Sequence, residues 1–194
     1  MQTLIFWSGG IDSTYILARA LRELKDDLVV NHTYLKTFEN RQDAEMKAIQ
    51  ALTPKMLDVR NFIPWKIGHD YSDPPTLIYD MPVFCADAGA IAKTFRLNKN
   101  LKRIDRWTIG TNAEESHWQT RWDVIVKAAN AFAWELDAPQ FEFLFPLVSR
   151  AEEIRYLKEC GIYDDCWFCR VPVNGARCNK CPTCIEVSAA LKTL

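Results

Sequence analysis

The chain has 194 residues, enough for one well-buried domain with a small appendage and too few for two full domains. Apolar residues make up 48% and charged residues 25%, the balance of a folded globular protein rather than a disordered tail. With 24 Lys and Arg against 25 Asp and Glu the formal net charge is -1, which disfavours a surface that grips nucleic acid over its whole extent. The most apolar long stretch, Trp122 to Leu136, is broken by Asp123, Lys127, Asn130 and Glu135 and falls short of a membrane span. Met1 leads directly into Leu4-Ile5-Phe6 without a basic segment or a small-residue cleavage site, so a cytoplasmic location and no membrane partner are expected.

Thr3 to Trp7 is a short apolar run ended by Ser8-Gly9-Gly10, the pattern of a buried strand entering a tight turn. Leu17, Leu21 and Leu24 then recur at helical spacing between Asp12 and Lys25. Leu28 to Tyr34 predicts a second strand, Arg41 to Leu52 a second helix and Met56 to Phe62 a third strand. Pro64, Gly68, Pro74 and Pro75 predict an irregular connection. Further on, Phe84 to Leu97 predicts a helix, Ile104 to Thr111 a strand, Arg121 to Leu136 a helix, and Phe141 to Leu147 a last core strand. Helices over Ala151 to Glu159 and Ile185 to Leu194 flank a cysteine-rich segment. This alternation of strand and helix predicts a five-stranded parallel α/β sheet covered on both faces. The domain organisation expected is a nucleotide-binding part over 1–159 and a metal-binding extension over 160–194.

The run Ser8-Gly9-Gly10-Ile11-Asp12-Ser13-Thr14 joins the first strand to the first helix. Paired glycines bring bare amides close to a ligand, and the helix start points unpaired N–H groups at the same place, so an anion binds there. Ser8, Ser13 and Thr14 add hydroxyls, and Asp12 can hold the turn or position a phosphate-bound cation. The spacing is neither a dinucleotide fingerprint nor a Walker A loop.

Six of the seven cysteines, Cys160, Cys166, Cys169, Cys178, Cys181 and Cys184, fall within 25 residues, a density that reads as a metal site in a reducing compartment. Cys169-x8-Cys178-x2-Cys181-x2-Cys184 supplies four soft ligands, with a turn at Gly175 returning Cys169 to the others. Tetrahedral zinc in a closed, structural site is the simplest occupant. An iron–sulfur cluster accepts the same thiolates, and Cys166, in C-x-x-C spacing with Cys169, is an alternative ligand. Cys160 and Cys85 read as core thiols.

Ser8-Gly9-Gly10-Ile11-Asp12-Ser13 resembles the SGGxDS signature of the PP-loop ATP pyrophosphatases. The resemblance implies an adenine-nucleotide hydrolase-like fold whose loop binds the pyrophosphate part of ATP and whose chemistry transfers AMP to an oxygen of the substrate. Together with the C-terminal cysteines, the chain resembles the 7-cyano-7-deazaguanine synthase (QueC) family. Supporting stretches are Arg41 and Glu45 after the second strand, Gly110-Thr111-Asn112, and Pro146-Leu147 followed by Arg150 to Ile154. The family's Pro-x-Arg-Asn segment is replaced by Pro82-Val83-Phe84-Cys85, and a Tyr-Pro-Asp-Cys-like element by Glu114 to Trp118.

This resemblance implies ATP with Mg²⁺ at Ser8, Gly9, Gly10, Asp12, Ser13, Thr14, Gly110 and Asn112. It implies catalytic roles for Asp12, Ser13 and Arg41, structural zinc at Cys169, Cys178, Cys181 and Cys184, and a homodimer. The expected reaction converts 7-carboxy-7-deazaguanine and ammonia to 7-cyano-7-deazaguanine. The departures leave two alternatives: a diverged ligase that hands a 7-deazapurine acid to a protein or nucleic-acid amine, and a nucleotide-binding interaction module without turnover. His117 and Trp118 are further candidates for substrate contact. The basic run Lys93, Arg96, Lys99, Lys102, Arg103 and Arg106 reads as a solvated helix end or a phosphate-binding surface.

Overall fold

The computed structural model describes residues 1–37, 39–71, 80–114 and 139–194. Its elements are β1 (Gln2–Phe6), α1 (Ile11–Glu23), β2 (Asp27–Lys36), α2 (Gln42–Leu57), β3 (Ile63–Asp70), α3 (Asp80–Leu97), β4 (Arg106–Thr108), β5 (Gln140–Phe141), α4 (Arg150–Glu159) and α5 (Pro182–Leu191), with one 3-10 turn at Tyr163–Asp165. The five strands form one parallel sheet in the order β3-β2-β1-β4-β5. The strand order reverses beside β1, so the carboxyl ends of β1 and β4 flank the crevice where open α/β sheets bind ligands.

Alternation along the central strands sorts the core into two layers. Ile5, Trp7 and Val30 pack with Leu17 and Leu21 of α1, Leu52 and Met56 of α2, and Ile154 and Leu157 of α4. Leu4, Phe6 and Val29 pack on the other face with Ala88, Ile91 and Phe95 of α3 and Trp107 of β4. Ile162, Tyr163, Cys166 and Val187 join the first layer, so the C-terminal segment shares the main core.

The third strand lies later than expected. Met56 is buried one turn after Leu52 and two after Ala48, which makes it the end of α2 rather than part of a strand. Pro54 sits inside that helix. Ile63–Asp70, expected to be irregular because of Pro64 and Gly68, is an edge strand bonded, among the described residues, to β2 alone, where a missing N–H is tolerated. At α3, Pro82 lies within the first turn, where it costs no hydrogen bond, and the helix starts at Asp80 rather than Phe84. β4 and β5 are shorter than the expected Ile104 to Thr111 and Phe141 to Leu147. The predicted helix Arg121 to Leu136, His117 and Trp118 lie outside the described residues.

Candidate functional site

Both backbone polar groups of Trp7 are held by β2. Its N–H donates to the Asn31 carbonyl at 2.8 Å, and its carbonyl accepts from His32 Nδ1 at 3.1 Å. Its indole N–H donates to Thr14 Oγ1 at 3.0 Å in the core, so Thr14, expected among the loop's ligand hydroxyls, anchors the loop from beneath instead. Ser13 Oγ takes the Ser8 N–H at 3.2 Å and lies 3.1 Å from Ser8 Oγ. The N–H of Gly10 turns toward Ser8 Oγ at 3.3 Å. These contacts keep the two serine hydroxyls at the mouth of the turn.

Gly9 has φ +74° and its α-carbon lies against α2; an added Cβ would meet Ala48 Cβ at 3.1 Å and the Glu45 carbonyl at 3.3 Å. The closest packing is at Gly110, where a Cβ would fall 2.3 Å from Ser13 N and from the Asp12 carbonyl carbon. The end of β4 therefore runs flush against the first turn of α1, and only glycine permits it.

This approach brings Asn112 to Asp12: Asn112 Nδ2 donates to Asp12 Oδ1 at 2.8 Å. Arg150, at the start of α4, reaches Asp12 Oδ2 at 2.7 Å and Glu153 at 3.2 Å. Burial opposes ionisation of Asp12, but the Arg150 charge and the hydrogen bonds from Arg150 and Asn112 outweigh it, holding the carboxyl below its ordinary range. Asp12 is therefore a carboxylate at neutral pH, 24% exposed beside the glycine turn. Glu114 accepts the Arg150 backbone N–H, and Ser149 with Glu152 forms a capping box, which together fix the direction in which α4 presents Arg150. Arg150, Glu153 and Glu114 were not among the expected site residues; the sequence signals that touch them are the segment from Pro146 to Ile154 for the first two and the departure at Glu114 to Trp118 for the third.

Arg41 lies at the entrance to α2, with Nε 3.1 Å from Glu39 and 3.4 Å from Glu45. Glu39 also approaches Arg170 at 3.6 Å, linking this corner to the cysteine segment. The basic run is elsewhere. Lys102 pairs with Asp27 at the start of β2, and Arg106, at the start of β4, pairs with Asp26 and Glu142. Those residues mark the amino-terminal edge of the sheet, opposite the glycine turn, which removes the run from the site.

The sulfurs of Cys169, Cys178, Cys181 and Cys184 all lie within 4.8 Å of one another, and three of the four side chains are buried. Asn174 and Gly175, both with positive φ, close a tight hairpin in which Val173 and Ala176 exchange two hydrogen bonds, returning the chain from Cys169 to Cys178. Backbone N–H groups of Cys178 and Cys181 donate to the sulfurs of Cys169 and Cys178, each at 3.2 Å. The N–H groups of Lys180 and Cys181 bring the Cys178 thiol down to about 6, whereas burial pushes Cys184 up to about 12. Cys166, the alternative ligand, instead belongs to the main core, where burial pushes its thiol up to about 12. The four-thiolate set fits a metal ion.

The cysteine knot and the glycine turn touch. Trp167, two residues before Cys169, donates its backbone N–H to the Gly9 carbonyl at 2.9 Å, and its own carbonyl lies 3.3 Å from where a Gly10 Cβ would stand. Its indole donates to the Cys169 carbonyl at 2.8 Å, while Arg177 lies over the Phe168 ring at 4.0 Å and donates to the Cys166 carbonyl.

No protein-family model matches the chain, and no curated protein matches it. Among solved structures it is similar to the U34-tRNA thiolase NcsA from Methanococcus maripaludis with its [4Fe-4S] cluster, at a TM-score of 0.53 and 15% identity. That match covers 100% of this chain and 65% of the thiolase, so the chain spans about two thirds of its relative's length. No described helix is long and apolar enough to cross a membrane. With the parallel sheet, the Ser8 to Ser13 turn at its strand switch and the C-terminal four-cysteine cluster, the chain has the PP-loop ATPase-like α/β fold.

Proposed function

We propose that the chain activates a carboxylic acid with ATP, and that the acid is 7-carboxy-7-deazaguanine, converted with ammonia to 7-cyano-7-deazaguanine. The observation that carries this reading is an ionised Asp12 locked by Arg150 and Asn112 beside an amide-rich turn at the strand switch. The turn takes the pyrophosphate of ATP through backbone N–H groups of Gly9 and Gly10 and the hydroxyls of Ser8 and Ser13, while Asp12 faces the Mg²⁺ that accompanies it. Gly110 and Asn112 line the same crevice, and Arg41 bounds it on the α2 side. Carboxylate oxygen attacks the α-phosphorus, pyrophosphate leaves, and the acyl-adenylate is open to ammonia. A second ATP activates the resulting amide oxygen, and loss of AMP gives the nitrile. Orientation and charge stabilisation at the phosphates are the loop's contribution.

Zinc is the metal that the knot's dimensions support. A tetrahedral site with Zn–S of about 2.3 Å has sulfur–sulfur edges of about 3.8 Å, close to the 4.0 Å between Cys178 and Cys184; a cubane places a larger body between its thiolates. Four thiolates leave zinc no open position, which makes its role structural. The thiolase's [4Fe-4S] cluster is the competing occupant, and elemental analysis of protein purified without added metal separates them: iron with matching sulfide overturns zinc.

The reaction is tested by incubating the protein with ATP, magnesium, the acid and ammonium and following pyrophosphate, AMP and every deazapurine product by mass spectrometry. Accumulating nitrile supports the reading, and no acid-dependent pyrophosphate overturns it. One observation favours a diverged acceptor. Where the resembled family has Arg and Asn, Phe84 stacks on Phe6 at 5.2 Å and Cys85 is buried, so apolar packing replaces polar contact under the loop. Activation that ends with deazapurine mass on a protein or nucleic-acid amine identifies that alternative.

A further inference from the structure

Asp87 stands on α3 next to Ala88 of the apolar layer, with 4% of its side chain exposed. An apolar residue there would fill the layer without desolvating a carboxylate. The chain instead keeps a row of polar groups. Asn31 Nδ2 donates to Thr33 Oγ1 at 3.0 Å, Thr33 Oγ1 donates to Asp87 Oδ2 at 2.8 Å, and His69 Nε2 meets Asp87 Oδ1 at 2.8 Å.

The positions of the protons follow. Thr33 has one hydroxyl hydrogen and gives it to the carboxylate, so it must accept from Asn31; a carboxylate only accepts, so the proton on His69 sits on Nε2. The neutral ring therefore carries its lone pair on Nδ1, the atom turned away from Asp87. His69 is 28% exposed and stacks on Tyr71 at 5.9 Å.

The row is joined to the nucleotide loop at its root. Asn31, whose backbone carbonyl accepts the Trp7 N–H, pairs in register with Phe6, and β2 and β3 continue past that level to Leu35 and His69. His69 thus stands toward the carboxyl-terminal rim of β3, two strands from β1, about 10 Å across the sheet, and four residues, roughly 13 Å, beyond the level of Phe6. A ligand whose phosphates lie in the turn and whose acyl group extends toward β3 would meet it there.

Resting on the acid-activating reading above, we propose that His69, oriented by Asp87, is the general base that takes a proton from ammonium and frees the ammonia that attacks the acyl-adenylate. The amine nitrogen bonds to the acyl carbon, the carbon–oxygen bond to AMP breaks, and AMP leaves with the electron pair. The proton from ammonium passes to His69 Nδ1 and from there to water, and the N–H proton released as the amide forms passes to water. His69 is the catalytic residue, and Asp87 a positioning residue that sets the ring's tautomer.

The test separates two half-reactions in wild type, His69→Gln and Asp87→Asn, with 7-carboxy-7-deazaguanine as the acid. Exchange of labelled pyrophosphate into ATP reads adenylation, and mass spectrometry reads acyl transfer to ammonium or to hydroxylamine. The expected result is unchanged exchange in both variants, with transfer to ammonium reduced about 100-fold. Transfer to hydroxylamine, which is already unprotonated at neutral pH, should fall much less, a split that mere loss of packing would not produce. Normal transfer to ammonium in His69→Gln, or an equal loss for both amines, overturns the base while leaving adenylation standing. Absence of exchange in the wild type overturns the adenylating reading and the base with it. If Asp87→Asn fails to fold, His69→Gln, whose side chain is partly exposed, decides alone.

Discussion

The glycine turn and the cysteine knot both gather groups that would otherwise separate, and they draw on different sources to do it. The knot takes all four thiolates from the segment 169–184, with one hairpin and two short C-x-x-C steps. Its closure needs little from the rest of the chain except a metal. The turn takes Asp12 from α1, Asn112 from the end of β4 and Arg150 from the start of α4. Its closure is the folding of the sheet itself. The contrast shows how one corner can be held by local chelation and its neighbour by long-range packing, with the hydrogen bond from Trp167 to Gly9 between them.

Removing the metal should have the largest effect. Structural zinc contributes roughly 10–16 kcal/mol in isolated zinc-finger peptides, so Cys184→Ala, or chelation, should unfold the 166–184 segment, read by hydrogen exchange. Because Trp167 leaves Gly9 in that event, affinity for a non-hydrolysable ATP analogue measured by calorimetry should fall as well. Unchanged affinity in metal-free protein would mean that the two regions are independent.

Arg150→Ala attacks the long-range side alone. It leaves Glu153 fully buried and Asp12 beside it without their cation, which should cost about 3–5 kcal/mol in urea denaturation, while the metal content stays at one per chain. Gly110→Ala should cost about 3 kcal/mol by driving a methyl into the backbone of α1. Nucleotide affinity should fall with it, because Asp12 and Ser13 must move.

A pH effect at the root of the turn is smaller. Burial lowers the pKa of His32 from 6.5 to about 4, only partly opposed by its bond to the Trp7 carbonyl. A ring held neutral in the folded state and protonated in the unfolded one stabilises fully above pH 6.5 and loses that contribution as pH falls toward 4, by about 2 kcal/mol at pH 5. His32→Gln should flatten this slope in denaturation curves taken between pH 7 and 5, with the metal still bound.

The glycine turn, the cysteine set and the strand–helix alternation were legible because each is a local pattern. Gly-Gly before a helix start, thiols at short fixed spacing and apolar periodicity need no knowledge of what lies across the fold. The strand Ile63–Asp70 was not legible, since Pro64 and Gly68 break a strand pattern unless the strand is at an edge, and only the sheet makes it one. Thr14 was misplaced for a related reason: a hydroxyl in a binding motif looks the same whether it faces a ligand or, as here, the Trp7 indole.

By itself, then, the sequence determined the fold class, the place of the glycine turn and the identity of the four clustered cysteines, because backbone conformation and short loop closure depend on neighbours in the chain. The tertiary structure alone decided that Arg150 and Asn112 hold Asp12 ionised, that Gly110 has no room for a methyl, that the basic run lies at the far edge, and that Thr33 and His69 meet at Asp87. These depend on strand order and register, which bring residues 18 to 138 positions apart to within a hydrogen bond. A charge or a polar group pays its desolvation cost only where such partners converge.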